Sequence, residues 1–382
     1  VGPLPANVAT TSGSPPVKLP RPAPRPAAPA TRSCTVVLLA DAPTTGRADG
    51  GRAARFALRG RSHSERSGRF IEFAAEEARA GRAVVALYPS WRPDAARYAL
   101  VHARSRTLSD EIAGIPLALS PLALSVLADR LAGLAPIHLP GIVAAAAREL
   151  PRHMLAGACL HSVTGLSALP TSTALHAASY RPRSAFLALS CPGAAVLRIP
   201  PGELGESLPG LPSPPDTPLH VLACSGTAGS PAFDDDLMPA LRTATAHVVP
   251  SQPLGPVFWG TTRYTEFAAF ESGPRSLARA LGALHTVRCR WCGQPVDRAV
   301  CPFCRSRAHR FPTAASSTGT AHHGVPAPRA LDQRPAPPPV PEPAGPAPRL
   351  PAAWPRPPAG LPLAPNGTPL PSPFAAPEDP RE

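Results

Sequence analysis

Apolar positions along this chain come in short runs, separated by stretches of helical period. The run Thr35 to Leu39 has the length and branching of a buried strand. In SGRFIEFAAEEARAGR, Ile71, Ala74, Ala75 and Ala78 share one helical face, and Gly81 is a natural stop. AVVALYPSW is a second buried run closed by Pro89, and ARYALVHAR reads as a third strand. SPLALSVLADRLAGL is the clearest helix: Ser120 stands at its cap, Pro121 in its first turn, and Leu124, Leu127, Leu131 and Leu134 recur at helical spacing. IVAAAARELPRHM predicts a further helix, ended by Pro151. LAGACLHSV, SAFLALSC, AAVLRI and LHVLAC predict strands, with a Glu-Leu helix start in GELGESL before the last of them. DDDLMPALRTA predicts a helix whose first-turn acids suit the dipole. HVVPS predicts a short strand, and GPRSLARALGALH a last helix with Leu277, Leu281 and Leu284 on one face. Strands alternating with helices predict an α/β fold, a mostly parallel sheet flanked by helices.

Composition marks where that pattern stops. Of 382 residues 57 are proline, and they crowd the two ends. Residues 1–32 and 311–382 are runs of Pro, Ala, Arg, Gly and Ser with no apolar period, too poor in burial to offset the entropy of ordering. The expected organisation is a disordered Pro-rich tail over 1–32, an α/β domain over 33–284, a small metal-binding segment over 285–310 and a second disordered tail over 311–382. The tail holds stretches such as PAPPPVPEP that suit polyproline geometry. No apolar run reaches the ~20 residues of a membrane helix, so no membrane partner is expected. VGPLPANVATTSGSPP has no apolar core of a signal peptide, and the expected compartment is the cytoplasm.

A net charge of +13 raises the question of nucleic acid, but its make-up argues against it. Lys18 is the only lysine among 38 basic residues; Arg, Ala, Pro and Gly all have GC-rich codons, so genome composition alone gives this excess. The charge is diffuse and lacks aromatic interleaving, so nucleic acid is a secondary expectation and a protein partner the first. No Gly-rich phosphate loop is present: GTAGS at 226–230 lacks both the P-loop and the dinucleotide spacing.

Four of the eight cysteines form CRWCGQPVDRAVCPFC, with the spacing C-x2-C-x8-C-x2-C. Two cysteines three positions apart on a tight turn supply two corners of a tetrahedron, and a second such knuckle supplies the rest. Gly293 follows the first pair and Pro302 stiffens the second. Cys289, Cys292, Cys301 and Cys304 are the expected ligands of a structural Zn2+, with two disulfides as the alternative. The segment resembles the small zinc-ribbon modules at the ends of many prokaryotic proteins, whose pattern is C-x2-CG, a short hairpin, then CP-x-C. That resemblance implies a structural or adaptor role; four protein thiolates would leave no open position, so no catalysis is expected at the ion.

Residues 184–284 resemble a caspase-like cysteine peptidase fold. In RSAFLALSCPGAAVLRI and then PLHVLACSG, LACSG places Cys224 where that family carries its nucleophile. CPG at 191–193 stands where the family has His-Gly, so the base position is lost; a second register uses His161, after LAGAC, as the base. The alternative is that Cys224 is a small buried hydrophobe at a strand end. The first expectation is a non-catalytic binding or adaptor protein bearing a zinc ribbon. The others are a cysteine peptidase using Cys224 with His161, and nucleic-acid binding through Arg288, Arg290, Arg298, Arg305 and Arg307.

Overall fold

The first apolar runs pair in parallel because each is followed by a segment long enough to cross back over the sheet. β1 (Cys34–Leu38), β3 (Ala83–Pro89) and β4 (Ile112–Leu117) line up beside a two-residue β2 (Ala54–Arg55), in the order β2-β1-β3-β4. In this computed structural model the described residues are Gly2, 33–47, 51–182, 184–199, Leu208, 219–241 and 243–307. Both proline-rich tails (Gly2 apart) and the helix start expected at GELGESL (Leu208 apart) lie outside them.

The crossovers are α1 (His63–Arg79) and α2 (Asp94–Thr107). Ser62 caps α1, its hydroxyl accepting the Glu65 N–H at 3.1 Å. Phe70 and Ala74 of α1, with Ala96, Ala99, Leu100 and Ala103 of α2, close over Val37, Leu39, Val84 and Ala86. ARYALVHAR is therefore helical, a correction to the strand expected there. Its buried positions follow the 3.6-residue period, and Arg97, Val101 and His102 face out.

α3 (Pro121–Leu134) and α4 (Pro140–Glu149) cover the other face. α3 is buried almost all round because it lies between two sheets. Its core joins Val36, Leu38, Val85 and Leu87 of the first sheet to Ala156, Leu222, Ala268 and Phe270 of the second. Asp129 of α3 is also buried, and is paired with Arg55 at 2.9 Å.

The second sheet is built from β5 (Met154–Leu160), β6 (Phe186–Cys191), β7 (Ala195–Arg198), β8 (Leu219–Ser225), β9 (Thr243–Val248) and β10 (Tyr264–Phe270). Its order is β7-β6-β5-β10-β8-β9. The β6–β7 link, Pro192 to Ala194, is too short for a crossover, so those strands pair antiparallel. β10 is antiparallel to both neighbours, and only β8 and β9 are parallel. Between β8 and β9 run a wide π-type turn, Phe233–Leu237, and a short α6 (Met238–Ala240). Phe233 and Leu237 cover the outer face over Val221 and Phe267. The strand expected at HVVPS starts earlier, as β9. The remaining elements are α5 (Thr173–Ala178), α7 (Gly255–Trp259), α8 (Pro274–Gly282) and the hairpin β11 (Val287–Arg288) with β12 (Pro295–Val296). Among the described residues no helix is long and apolar enough to cross a membrane.

Candidate metal centre and ligand crevice

The cysteine segment folds as two matching knuckles. The Gly293 N–H returns to the Cys289 carbonyl at 2.9 Å, and the Arg305 N–H to the Cys301 carbonyl at 3.0 Å. Gly293 (φ 73°) and Arg305 (φ 60°) take the left-handed conformation that such a turn requires. All four sulfurs lie within 4.8 Å of one another. Cys289 and Cys304 are 3.5 Å apart, as are Cys292 and Cys301. A disulfide would need about 2.05 Å, whereas a tetrahedron of thiolates around one ion has edges of about 3.8 Å. The four cysteines thus form a cluster that could hold a metal, consistent with a zinc-ribbon-like unit.

That unit is seated on the core. Cys289, Cys301, Val296 and Phe303 join the cluster of α3 and α4 side chains. The Gly141 N–H of α4 donates to Gln294 Oε1 at 3.1 Å, and Arg148 to Asp297 at 2.9 Å. Arg104 of α2 donates to the Pro302 carbonyl at 2.8 Å. Gly141 has no side chain for a reason: a Cβ there would lie 2.1 Å from the Pro295 carbonyl oxygen.

Cys224 and His161 are not assembled for catalysis. Cys224 is 1% exposed on β8, and its sulfur lies 4.0 Å from Glu266 Oε2 on β10. Burial, then the Glu266 charge, push its thiol well up. His161 follows β5, on the other side of β10, and its Nε2 lies 3.4 Å from the Gly229 carbonyl. No hydrogen bond joins the thiol to an imidazole among the described residues. A buried thiol beside a carboxylate resists forming the thiolate that a peptidase needs. Pro192, in the family's base position, sits in the exposed β6–β7 turn. Asp234 and Asp235 are exposed in the π-type turn, His102 stacks on Tyr98, His153 lies 3.5 Å from Glu149, and Trp259 is buried as packing. The five arginines considered for nucleic acid are exposed on the ribbon, with no partner surface defined by their placement.

Glu266 is the functional-looking group the sequence reading missed. It is fully buried, accepts the Leu122 N–H at the start of α3 at 2.8 Å, and is pushed up to about 7 by burial. Nothing in TEFAAF distinguishes it from an ordinary strand residue.

A crevice of about 520 Å³ opens beyond the carboxyl ends of β1 and β3. There the chain leaves β1 for one side of the sheet and returns to β3 on the other, the switch-point position where open α/β sheets hold ligands. Its floor includes Leu39, Ala96 and Leu254, and Arg59, Arg66 and Arg92 stand at it. Arg59 pairs with Asp41, and Arg66 donates to the Gly60 carbonyl at 2.7 Å. Arg92 is exposed and makes no side-chain hydrogen bond or ion pair among the described residues. It immediately precedes α2, whose N-cap residue Pro93 offers no side-chain hydrogen bond.

No protein-family model and no curated protein matches the chain. Among solved structures it is similar to a DegV family protein of Corynebacterium glutamicum, at 16% identity and TM-score 0.46, over 63% of this chain and 98% of that one. A DegV family protein of Eubacterium eligens loaded with heptadecanoic acid is similar at 9% identity and TM-score 0.44, over 63% and 100% of the two chains. A Thermus thermophilus DegV family protein described by its fatty-acid binding is similar at 13% identity and TM-score 0.43, over 63% and 100%. The functional expectations drawn from the sequence are corrected, and the physical reason against the peptidase lies in this chain itself: Cys224 is buried beside the Glu266 carboxylate.

Proposed function

We propose that the four cysteines hold one Zn2+ with a structural role, making residues around Cys289–Cys304 a zinc ribbon fastened to the α/β core. The convergence of four sulfurs within 4.8 Å supports this most directly. Four protein thiolates leave no open position, so the ion organises the segment rather than a reaction. A segment with two-residue strands has too little core of its own, and metal binding supplies the missing folding energy, about 10–16 kcal/mol in small zinc peptides. Elemental analysis of the purified chain should give one zinc per molecule, reduced by Cys289→Ser and by Cys301→Ser. Metal-free protein with an unchanged thermal transition would refute the reading.

A second reading concerns the crevice over β1 and β3. Its apolar floor beside guanidinium groups suits a small organic acid with an apolar body, including a fatty acid. Arg92 supports this because its side chain makes no hydrogen bond or ion pair among the described residues and stands at the crevice where α2 begins, although Asp94 of the first turn lines the same crevice. Displacement of a fluorescent fatty acid by heptadecanoate should show saturable binding, weakened about tenfold by Arg92→Gln. Saturable binding unaffected by that substitution, or no binding, would remove the acid from this crevice.

A further inference from the structure

The side of the molecule where the ribbon meets α2 carries a second cavity, of about 490 Å³. Five arginines line it: Arg97 and Arg104 from α2, Arg148 from α4, and Arg298 and Arg305 from the ribbon. No carboxylate lines it. Arg97 and Arg104 are seven positions apart on α2 and so share a face, two turns apart, with Asp94 three positions before Arg97. The hydrogen bonds already described use some of them. Arg104 is held by the carbonyls of Ile112 and Pro302, and Arg148 by Asp297. Arg298 reaches Asp297 only at 4.0 Å. Arg97 and Arg305 make no side-chain hydrogen bond or ion pair among the described residues.

Counter-charge for the thiolates does not account for all of this. Four thiolates on one divalent ion carry two negative charges. Asp297 adds one, and Asp110, whose charge reaches Arg104, adds another. Five guanidiniums still exceed these four charges. The two without partners come from separate parts of the fold, one from the core and one from the ribbon. The rest of the wall is apolar and partly open, with Val101 50% and Val300 51% exposed beside Leu100.

We infer that this cavity binds a phosphate monoester with a compact apolar body, its phosphate held between Arg97 and Arg305 and its body lying along Val101 and Val300. Guanidinium forks match phosphate oxygens in pairs, and two of them on one dianion give strong charge-assisted bonds. Because α2 and the ribbon each supply one arm, the site exists only when the ribbon is seated on the core.

The test is calorimetric titration of the full chain with phenyl phosphate and with inorganic phosphate. Vesicles of phosphatidylcholine with and without phosphatidic acid form a separate arm. Zinc content is measured on every sample. Phenyl phosphate should bind saturably, and Arg97→Gln and Arg305→Gln should each weaken it about tenfold or more with zinc retained. Arg275→Gln on α8, exposed and away from the cavity, should leave binding unchanged. Binding confined to phosphatidic acid vesicles, and lost in the same two variants, would identify the phosphate as a lipid headgroup at this site. The inference is overturned if neither source binds, if Arg275→Gln weakens binding as much as the other two, or if both cavity variants lose zinc instead of ligand affinity. The last result would make the arginines counter-charges only.

Discussion

At the scale of the residue, the most consequential group is a carboxyl with no route to water. Glu266 sits in β10 between β5 and β8 and meets the amide of Leu122 at the start of α3. Burial disfavours its charged form, while the Leu122 N–H partly restores it, leaving a value of about 7 against an ordinary 4.5. An acid raised on folding binds its proton more tightly in the folded state. Its stabilising contribution is therefore complete below the unfolded value, is lost as pH rises from about 4.5 to about 7, and is flat above. The amplitude is about 3 kcal/mol. Glu266→Gln keeps the acceptor for Leu122 and removes the titration, so this slope should flatten in urea denaturation repeated across that pH range. An unchanged slope would place the titrating group elsewhere. The sequence could not announce this residue, because the strand Tyr264–Phe270 is itself absent from the elements expected and a single Glu carries no sign of its burial. Only the presence of helices and strands on both sides of β10 makes it interior. The cysteine knuckles were legible for the opposite reason: their chemistry is carried by local spacing, which needs no knowledge of the rest of the fold.

Elements follow the same division between local and distant causes. α1 and α3 were readable because their apolar faces lie within their own sequence, although α1 begins earlier than expected, at His63 behind Ser62, and Ser120 gives α3 no side-chain capping bond. α2 was misread because ARYALVHAR is short and its Tyr, Leu and Val suit a strand equally well. Its helical period becomes evident only when Ala96 and Ala103 count as core, which small residues become when they pack closely on a neighbouring helix. β4 escaped notice because IAGIPL contains Gly114 and Pro116, both poor strand residues. Pro116 is tolerated because β4 is an edge strand. The seat of the ribbon on α4 is likewise a matter of contact at a distance, and it makes an element-scale prediction. Gly141→Ala should favour an isolated helix by roughly 1 kcal/mol. Here the added Cβ would press on the Pro295 carbonyl at 2.1 Å, so the ribbon must shift. The expected net effect is destabilisation of about 1–3 kcal/mol. Amide exchange should rise across Val287–Arg307 while β5 and β10 keep their protection. Increased stability, or exchange unchanged in the ribbon, would show that the helix accommodates the methyl without moving the hairpin.

At the scale of the whole molecule, one helix couples two sheets that differ in strand direction. The chain could have folded as two halves, each with its own core, since the first sheet is parallel and the second mainly antiparallel. It does not, because α3 presents apolar residues in every direction. Its Leu122, Leu124, Val126, Leu127 and Leu131 belong to a single cluster that reaches from Val85 to Phe270. A helix buried on all sides has no solvent face to spare, so both sheets bury inner surface against it. Buried pairs reinforce the link: Arg55 of β2 with Asp129 on one side, and Arg130 with Ser276 and the Phe270 ring on the other. Leu127→Ala removes fully buried volume from that helix and should cost about 2–5 kcal/mol. If α3 is the common core, amide exchange in β3 and in β10 should accelerate by the same factor. If the halves are independent, one sheet will lose protection while the other retains it. Equal loss would also explain why the crevice over β1 and β3 and the ribbon on α4 keep fixed positions, since both are built on layers that share this one helix.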